Sequence, residues 1–308
     1  MKVLVFGSNG LVGSALKRTL PEDKIFSETN FSTRKDTDLF SSEATSKTIL
    51  EFNPDVIINA AAKVGGIYAN NTQRTSFLLE NLKININILE ASTKLEKIKI
   101  INLGSSCIYP LNAPDPIKEE YVMSGKLEPT NSPYAMAKLT ALELGNTIRT
   151  EFGHEVINLM PTNLYGPSDN FSKIDSHVIP GLIRKMHDAK INKETEFKIW
   201  GTGKPLREFL YVDDLAKSII YILKNKINDE LINIGSGEEV SIYDLSIKIK
   251  NTVDYKGNLV FDSSMPDGNP RKFLDSNLIN SYGWKPEIAL KEGLLKTYEW
   301  FLNNKPRL

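Results

Sequence analysis

The stretch KVLVFGSNGLVGSALKRTL, residues 2–20, joins a short apolar segment to a glycine-rich turn and an amphipathic segment. Lys2–Phe6 is apolar and contains β-branched residues, which is typical of a buried strand. Gly7, Gly10 and Gly13 follow, and apolar residues then recur at helical spacing. This order predicts a dinucleotide site, because glycines let the backbone approach a pyrophosphate and a helix N-terminus offers free N–H groups. The alternative is a tight strand–helix turn that binds no ligand.

The alternation of strand-like and helix-like segments continues to about residue 165. Strands are predicted at Pro54–Ala62, at Lys97–Ser106 and, with the loop after it, at Glu155–Pro167; helices are predicted at Phe77–Leu95 and at Ser132–Gly153, with Ser132 as N-cap. Alternating strands and helices predict an α/β fold with a doubly wound parallel sheet of the Rossmann type. Ligands of such sheets bind at the carboxyl ends of the strands, so we expect the loops there to line one crevice.

The pattern loosens after residue 165, where polar, turn-rich segments such as YGPSDNFSKIDSH appear. A further strand, turn and helix are predicted in INIGSGEEVSIYDLSIKIK, with Ser241 as the helix N-cap. We therefore expect a dinucleotide-binding domain over residues 1–165. A smaller α/β substrate domain is expected over residues 166–308, with segments that interleave with the first domain.

Charge and composition narrow the function classes. Lys and Arg number 38 and Asp and Glu number 38, so the net charge is zero, which argues against nucleic acid or an anionic membrane as the main partner. The one cysteine cannot form an internal disulfide, and no Cys/His pattern matches a metal site. The N-terminal apolar run is too short for a signal peptide, and no run approaches a membrane span of about 18 residues. A cytoplasmic protein without a metal ion is expected.

Tyr134 and Lys138 stand four residues apart within a predicted helix and therefore project from one face of it. Ser105 ends the preceding predicted strand. An ammonium near a tyrosine favours the phenolate, and a serine hydroxyl can donate to a carbonyl oxygen that becomes an alkoxide. Together the three residues predict a carbonyl reductase that needs no metal. The alternative is a packed tyrosine beside a surface lysine.

The segment INLGSSCIYP, residues 101–110, places the only cysteine two residues after Ser105. Packing is the simplest explanation of Cys107, because free cysteines are among the most buried residues. In an extended strand, however, side chains two residues apart point the same way, which would turn Ser105 and Cys107 together toward the crevice.

At this point the chain resembles the extended short-chain dehydrogenase/reductase family, and within it the GDP-L-fucose synthases. The segments that carry the resemblance are GLVGSA, AAAKVGGIYANN, LGSSCIYP, LEPTNSPYAMAK, PTNLYGPSDNF, SHVIPGLI, WGTGKPLREFLYVDD and PDGNPRKFLD. They extend over nearly the whole chain. The resemblance implies NADPH as hydride donor, a nucleotide-sugar substrate and a homodimer.

The resemblance also implies roles for individual residues. Ser105, Tyr134 and Lys138 correspond to the reductase set, and Cys107 and His177 correspond to the acid–base pair that epimerises the sugar. A thiol and an imidazole suit such a pair, because modest shifts bring both groups near neutral pH. The other two histidines, His154 and His187, are interpreted as structural.

Further residues are assigned to ligands by the same resemblance. The cofactor would contact Gly7, Ser8, Asn9, Gly10, Leu11, Val12, Gly13, Arg34, Lys35, Asp36, Leu39, Ala61, Leu103, Gly104, Ser105, Ser106, Lys138, Pro161, Thr162, Asn163, Leu164 and His177. The GDP-sugar would contact Lys185, Trp200, Arg207 and Asp267. This chain departs from the family in the first turn, where Ser8-Asn9 stands in place of a His-Arg-like pair.

Two features give opposite predictions for the cofactor. Arg34 could pair with the 2′-phosphate of NADP, whereas Glu28, about 20 residues after the glycines, would favour NAD. We expect NADP.

The implied reaction is the NADPH-dependent conversion of GDP-4-keto-6-deoxy-D-mannose to GDP-L-fucose, by epimerisation at C3 and C5 and reduction at C4. One alternative is a C4-reductase of a related GDP-4-keto-6-deoxy sugar, such as a heptose, with weak or absent epimerisation. Another is a non-catalytic nucleotide-binding Rossmann protein, against which the complete set of catalytic residues argues.

Overall fold

The computed structural model describes residues 1–173, 175–265 and 267–304. In chain order the strands are β1 (Lys2–Phe6), β2 (Glu28–Ser32), β3 (Val56–Asn59), β4 (Lys99–Leu103), β5 (Glu155–Pro161), β6 (Asn163–Tyr165), β7 (Glu196–Trp200), β8 (Leu206–Tyr211), β9 (Leu231–Ile234), β10 (Glu239–Ser241), β11 (Asn258–Asp262) and β12 (Arg271–Lys272). The helices are α1 (Leu11–Thr19), α2 (Ser42–Phe52), α3 (Ile67–Thr72), α4 (Arg74–Ser92), α5 (Ser132–Phe152), α6 (Val178–Ile191), α7 (Val212–Lys224), α8 (Ile242–Val253), α9 (Asn277–Ser281) and α10 (Leu290–Asn303).

The main sheet has the strand order β2-β1-β3-β4-β5-β9, and each neighbouring pair in it is parallel. The chain passes from β1 to β2 on one side of it and then to β3 on the other side, so the winding direction changes between β1 and β3. In a doubly wound sheet this switch point opens a crevice at the carboxyl ends of the strands. The predicted fold class is confirmed.

The apolar composition of β1 follows from burial on both faces. Val3 and Val5 pack into a core with α1 and α7, whereas Leu4 and Phe6 pack into a second core with α2, α4 and α5. Helices thus cover both sides of the sheet, which is why its strands lack a polar face.

A row of buried amides crosses this otherwise apolar sheet. Asn59, Asn102 and Asn158 lie side by side in register on β3, β4 and β5. Their amides are joined by hydrogen bonds of 3.2 and 3.0 Å, and Asn59 also donates to Asn85 of α4 at 2.9 Å. Because buried polar groups cost free energy unless they are paired, this continuous row fixes the register of the three strands and the position of α4.

The C-terminal half contains a third core, formed by α6, α8 and α10. Its side chains include Ile183, Met186, Ile249 and Leu294. Short strands surround it: β8 pairs with β6, β10 and β12, and β7 pairs with β11. However, α7 and β9 return to the first core and its sheet. The chain therefore crosses between the two halves more than once, and the division at residue 165 stays a prediction.

The two N-cap predictions had different outcomes. Ser241 caps α8, because its hydroxyl accepts a hydrogen bond from the N–H of Asp244 at 2.9 Å. The prediction for Ser132 was wrong: the N-cap residue of α5 is Asn131, and the Ser132 hydroxyl accepts a hydrogen bond from Arg74 at 3.1 Å. None of the helices in the described ranges has the length and apolar character of a membrane span.

Candidate active site

The glycine turn between β1 and α1 closes tightly against the loop after β3. Gly7 has φ +78°, and a Cβ there would lie 2.6 Å from the main-chain nitrogen of Ala61. A Cβ on Gly13 would lie 2.3 Å from the carbonyl oxygen of Gly7. Only glycine fits at both positions, and α1 therefore begins directly beside the switch point of the sheet. This backbone cradle matches the requirement of a dinucleotide pyrophosphate.

The side chains of the first turn are not equivalent. Ser8 is fully buried, and among the described residues its hydroxyl has no hydrogen-bond partner. Asn9 is exposed and accepts a hydrogen bond from the ammonium of Lys17 at 2.9 Å. The site therefore has an unpaired buried hydroxyl and a nearby cation where the family usually carries a His-Arg-like pair.

The two competing cofactor signals lie at opposite ends of β2. Glu28 begins the strand and faces Lys2 at 3.5 Å, so it lies roughly 13 Å of strand away from the carboxyl edge. Arg34 follows the carboxyl end, is exposed and lies 5.1 Å from the ring of Phe40. The competing signal for NAD therefore fails, because Glu28 is the first residue of β2 and lies at the far edge of the sheet.

The loop that includes Arg34 is ordered by its own side chains. Asp36 accepts hydrogen bonds from the N–H and the hydroxyl of Thr33, at 2.8 and 2.6 Å, and these bonds lower the pKa of its carboxyl. Lys35 is exposed beside them, and the carbonyl of Leu39 accepts a hydrogen bond from Asn87. The loop thus presents cations to solvent at the edge where the cofactor is predicted.

Ser105 and Cys107 meet through a turn and not through strand alternation. The strand β4 ends at Leu103, and residues Ser106–Ile108 form a single 3₁₀ turn with Ser105 as N-cap. The Ser105 hydroxyl accepts a hydrogen bond from the N–H of Cys107 at 3.3 Å. The predicted alignment of the two side chains along a strand was wrong, because β4 ends before both residues.

Tyr134 and Lys138 lie on α5 with their polar groups next to this turn. Lys138 is buried, donates a hydrogen bond of 2.6 Å to the carbonyl of Leu103 and lies 5.9 Å from the Tyr134 ring centre. Burial lowers the pKa of Lys138 to about 8. Tyr134 is hydrogen-bonded to Ser105.

The pKa of Tyr134 is raised, first by burial and second by the nearby Cys107, and its hydrogen bond with Ser105 only partly offsets this. The expectation that Lys138 would favour the phenolate is therefore not met in this state of the protein. Tyr134 is held as a neutral phenol, which is the form that can donate a proton.

Cys107 lines a small cavity of about 50 Å³ with the loop before α5 and with β12. Its sulfur lies 3.3 Å from the side-chain amide of Asn131 and 3.9 Å from the ammonium of Lys272. Asn131 and Lys272 both fall within segments that carry the family resemblance, LEPTNSPYAMAK and PDGNPRKFLD. No local pattern in the second segment predicted that it would reach the cysteine.

His177 is the residue before α6 and is exposed, although protein atoms surround it on most sides. This loss of bulk water lowers the pKa of its imidazole. The chain before it is tied to the loop after β3, because the carbonyl of Asp175 accepts a hydrogen bond from Gly66 N–H at 3.0 Å. Gly65 in turn approaches Phe77, whose ring meets the Tyr134 ring edge-on at 6.3 Å. These contacts connect His177 to the same wall of the crevice as Tyr134.

Three of the four predicted GDP-sugar residues form a cluster. Asp267 accepts hydrogen bonds of 2.6 and 2.8 Å from the N–H and the hydroxyl of Thr202. Trp200 stands two residues before Thr202 and is 68% exposed. Burial lowers the pKa of Arg207, and the charge of Asp267 opposes that effect. Lys185 is exposed on α6, and no hydrogen bond or ion pair among the described residues ties it to this cluster.

A buried carboxylate that the sequence did not single out holds several of these segments together. Glu208 of β8 accepts hydrogen bonds from the N–H groups of Gly237 and Leu274, at 2.9 and 3.3 Å. Its own carbonyl accepts from Thr162 and Asn163, which were predicted near the cofactor. Burial raises the pKa of Glu208. This residue positions β8 and β12, which carry Arg207 and Lys272.

Comparison with known proteins identifies the family of this chain. The model of the NAD dependent epimerase/dehydratase family matches residues 3–235. The chain belongs to this family. Within it, the chain is 46% identical to a probable GDP-L-fucose synthase 1 of rice, Oryza sativa subsp. japonica, over 98% of this chain and 92% of the rice protein.

Solved structures of family members agree in fold over the full length. A GDP-L-fucose synthetase from Naegleria fowleri, solved with NADP bound, has a TM-score of 0.89 and 30% identity, covering 100% of this chain and 96% of its own. A GDP-6-OMe-4-keto-L-xylo-heptose reductase from C. jejuni has a TM-score of 0.90 and 32% identity, covering 98% and 97%. The predicted family resemblance is confirmed.

Proposed function

We propose that this protein converts GDP-4-keto-6-deoxy-D-mannose to GDP-L-fucose, by epimerisation at C3 and C5 and then reduction at C4. The observation that carries the proposal is the single cluster of Ser105, Cys107 and Tyr134. There a neutral phenol is hydrogen-bonded to a serine and lies beside a thiol. The phenol is suited to protonate an alkoxide, and the cysteine in its thiolate form is suited to remove a proton from carbon.

The residues present fit a dinucleotide cofactor. A Cβ on Gly7 or Gly13 would fill the backbone cradle. The ammonium of Lys138 lies close to the ring of Tyr134. Arg34 is free to meet a 2′-phosphate at the end of β2, so we propose NADPH. When bound, NADPH supplies the hydride that reduces C4.

The epimerisation uses the acidity of a ketone. Protons at C3 and C5 of a 4-keto sugar are acidic, because the electron pair released from the C–H bond delocalises onto the C4 oxygen. In the proposed mechanism one member of the pair Cys107 and His177 takes the proton, and the other returns one to the opposite face. Ser105 and Tyr134 donate hydrogen bonds to the enolate oxygen that forms at C4. Burial lowers the pKa of His177, which favours its neutral imidazole.

The reduction uses the same two hydroxyl groups. Ser105 orients the C4 carbonyl, and Tyr134 gives its proton to the C4 oxygen as the new C–H bond forms. Because burial raises the pKa of Tyr134, the proton is in place before the reaction begins. Lys138 donates to Leu103 O and is oriented by that bond, so its remaining N–H groups can face a ribose hydroxyl.

A specific observation favours a second candidate, a C4-reductase of a GDP-linked heptose. The heptose reductase from C. jejuni has the same fold at a TM-score of 0.90. One additional carbon on the sugar changes the shape that the pocket must accept and leaves the Ser-Tyr-Lys chemistry intact. The two candidates differ in whether Cys107 and His177 move protons.

One NMR experiment separates them. The protein is incubated in D₂O with GDP-4-keto-6-deoxy-D-mannose, first without and then with NADPH. We expect deuterium at both C3 and C5 without NADPH, and GDP-L-fucose when NADPH is added. Reduction with no deuterium incorporation would establish the reductase alone. No turnover of this sugar, together with turnover of a GDP-4-keto-heptose, would move the substrate assignment to the heptose.

We further propose a cytoplasmic homodimer that pairs through α4 and α5. These helices pack side by side and leave Leu79, Ile86 and Met136 exposed by 39–49% on their outer face. Pairing would bury that apolar face in a four-helix bundle. Light scattering at micromolar concentration should give twice the chain mass, and Leu79→Asp should give monomer. Leu302→Asp, which changes an equally exposed leucine on α10, is the matched control. A stable wild-type monomer would contradict the proposal.

A further inference from the structure

The ammonium of Lys272 lies 3.9 Å from the sulfur of Cys107, although 165 positions separate the two residues. Cys107 is partly buried in the 50 Å³ cavity, and Lys272 reaches it from β12 on the opposite wall. An ammonium at this distance complements a thiolate and has no comparable attraction for a thiol.

The position of Lys272 is built into the fold. The strand β12 pairs with β8, so that Lys272 is in register with Arg207. Two residues further on, the N–H of Leu274 donates to the buried carboxylate of Glu208 at 3.3 Å. Since Glu208 is completely buried, this bond fixes the backbone beside Lys272 and directs its side chain into the cavity.

Asn131 is the second side chain that lies next to the sulfur. Its side-chain amide is 3.3 Å from the Cys107 sulfur, and with the amide nitrogen turned toward Glu128 it donates to the carbonyl and the carboxylate of that residue, each at 3.3 Å. Asn131 therefore forms one side of the cavity, and the charge next to the sulfur comes from Lys272.

The charged and titratable groups around the thiol come from different elements. Lys272 is the cation that contacts the sulfur. Arg271 beside it is already paired with Glu239. Glu128 is engaged by Thr130 and by the N–H of Asn131. Tyr134 is neutral. The charged and titratable groups that face the cavity or the sulfur are Lys272, Arg271, Glu128, Tyr109 and Tyr134.

We infer that Lys272 is a positioning residue that holds Cys107 as a thiolate, ready to take a proton from the sugar. The inference rests on the proposed function for its role in epimerisation. When the thiolate takes a proton from C3 or C5, an S–H bond forms and the C–H electron pair moves to the C4 oxygen. The ammonium of Lys272 then loses its anionic partner, and the developing negative charge is at the enolate, next to Ser105 and Tyr134.

The test does not need the sugar. Because Cys107 is the only cysteine of the chain, iodoacetamide reports its thiolate directly. At pH 7 we expect Lys272→Met to react about tenfold more slowly than wild type. An opposite charge within about 4–6 Å shifts the equilibrium between thiol and thiolate by at least about tenfold. Lys272→Arg should retain most of the rate. Near pH 10, where free thiols ionise unaided, wild type and Lys272→Met should react alike.

Lys118→Met is the matched control, because Lys118 is half-exposed, pairs with Glu120 and does not line the cavity. It should react at the wild-type rate. Equal alkylation of wild type and Lys272→Met at pH 7 would overturn the inference. So would a tenfold loss that persists at pH 10, because it would indicate a changed shape of the cavity and not a changed charge.

The sugar arm then tests the link to epimerisation. Lys272→Met should lose deuterium exchange at C3 and C5 about tenfold while kcat for reduction changes less. A raised KM with normal alkylation and exchange would assign Lys272 to the substrate phosphates and overturn the inference. If wild type shows no exchange at all, the epimerase proposal fails, and the alkylation result still decides whether Lys272 holds a thiolate.

Discussion

The ammonium of Lys138 donates a hydrogen bond of 2.6 Å to the carbonyl of Leu103, the last residue of β4. This bond attaches α5 to the strand that leads to Ser105, and it is made by a lysine that is almost fully buried. The arrangement is costly for folding, since burying an ammonium with one hydrogen bond does not replace its hydration. We therefore expect Lys138 to serve the proposed site and not the stability of the fold.

The cost of Lys138 should be visible in the pH dependence of stability. Its pKa falls from 10.5 to about 8 on folding, so the unfolded chain binds more protons between those values, and stability rises with pH in this window. Lys138→Met should raise the free energy of unfolding at pH 7 by up to about 3 kcal/mol. The gain should shrink toward zero as the pH rises from about 8 to 10.5.

Urea unfolding of the cofactor-free protein at pH 7 and pH 10 measures the effect. Lys118→Met, at a half-exposed lysine, should show no pH-dependent difference from wild type. A gain for Lys138→Met of equal size at both pH values would mean that better packing, and not removal of the charge, is responsible.

Tyr134→Phe should separate the two halves of the reaction. The variant keeps the ring that packs edge-on against Phe77 and loses only the hydroxyl. Because the C4 alkoxide then has no proton donor, reduction should fall roughly 10²–10⁴-fold. Deuterium exchange should continue at a measurable rate, because Cys107 and Ser105 remain.

The measurement is NADPH oxidation at 340 nm beside NMR of exchange in D₂O. Tyr282→Phe removes an exposed tyrosine hydroxyl that pairs with Asp229, and it should leave both rates unchanged. Parallel loss of exchange and reduction in Tyr134→Phe would indicate that the phenol is equally needed to stabilise the enolate.

Arg34 should determine the choice between NADPH and NADH. It is exposed at the carboxyl end of β2, whereas the acid that would favour NAD, Glu28, is at the other end of that strand. We expect wild type to prefer NADPH by at least about tenfold in kcat/KM, or about 1.4 kcal/mol. Arg34→Ala should abolish most of this preference by weakening the binding of NADPH.

Lys24→Ala, which removes an exposed cation before β2, is the control and should keep the wild-type preference. Equal kcat/KM for both cofactors in wild type would contradict the prediction. A preference that survives in Arg34→Ala would move phosphate recognition to Lys17 or Lys35, the other cations near this loop.

Local sequence pattern was sufficient where structure is local. The strand, glycine turn and helix of residues 2–20 depend on neighbours in sequence, and their bounds are close to those predicted. Tyr134 and Lys138 share a helix face for the same reason. The reach of Lys272 to Cys107 could not be predicted, since it depends on the pairing of β12 with β8 and on the buried Glu208.

The position of Glu28 illustrates the same limit. Glu28 stands about 20 residues after the glycines, which is the spacing of an acid that favours NAD. That rule assumes that the acid lies at the end of its strand. Here β2 begins at Glu28, so the side chain is at the wrong edge of the sheet. Similarly, Ser105 and Cys107 were expected to align in a strand that in fact ends at Leu103.

Cys107→Ser should have the effect opposite to that of Tyr134→Phe. A serine hydroxyl is far too weak an acid to form an anion beside Lys272 at neutral pH, so no competent base replaces the thiolate. Deprotonation at C3 and C5 should fall by roughly 10²–10⁴-fold, the usual contribution of a positioned acid–base group. Hydride transfer to the unepimerised ketone should survive, because Ser105, Tyr134 and Lys138 are untouched, and the product should then be a D-configured GDP sugar. NMR in D₂O, with and without NADPH, measures both outcomes in one sample. Exchange and inversion at wild-type rates in Cys107→Ser would mean that the only cysteine of the chain serves packing alone.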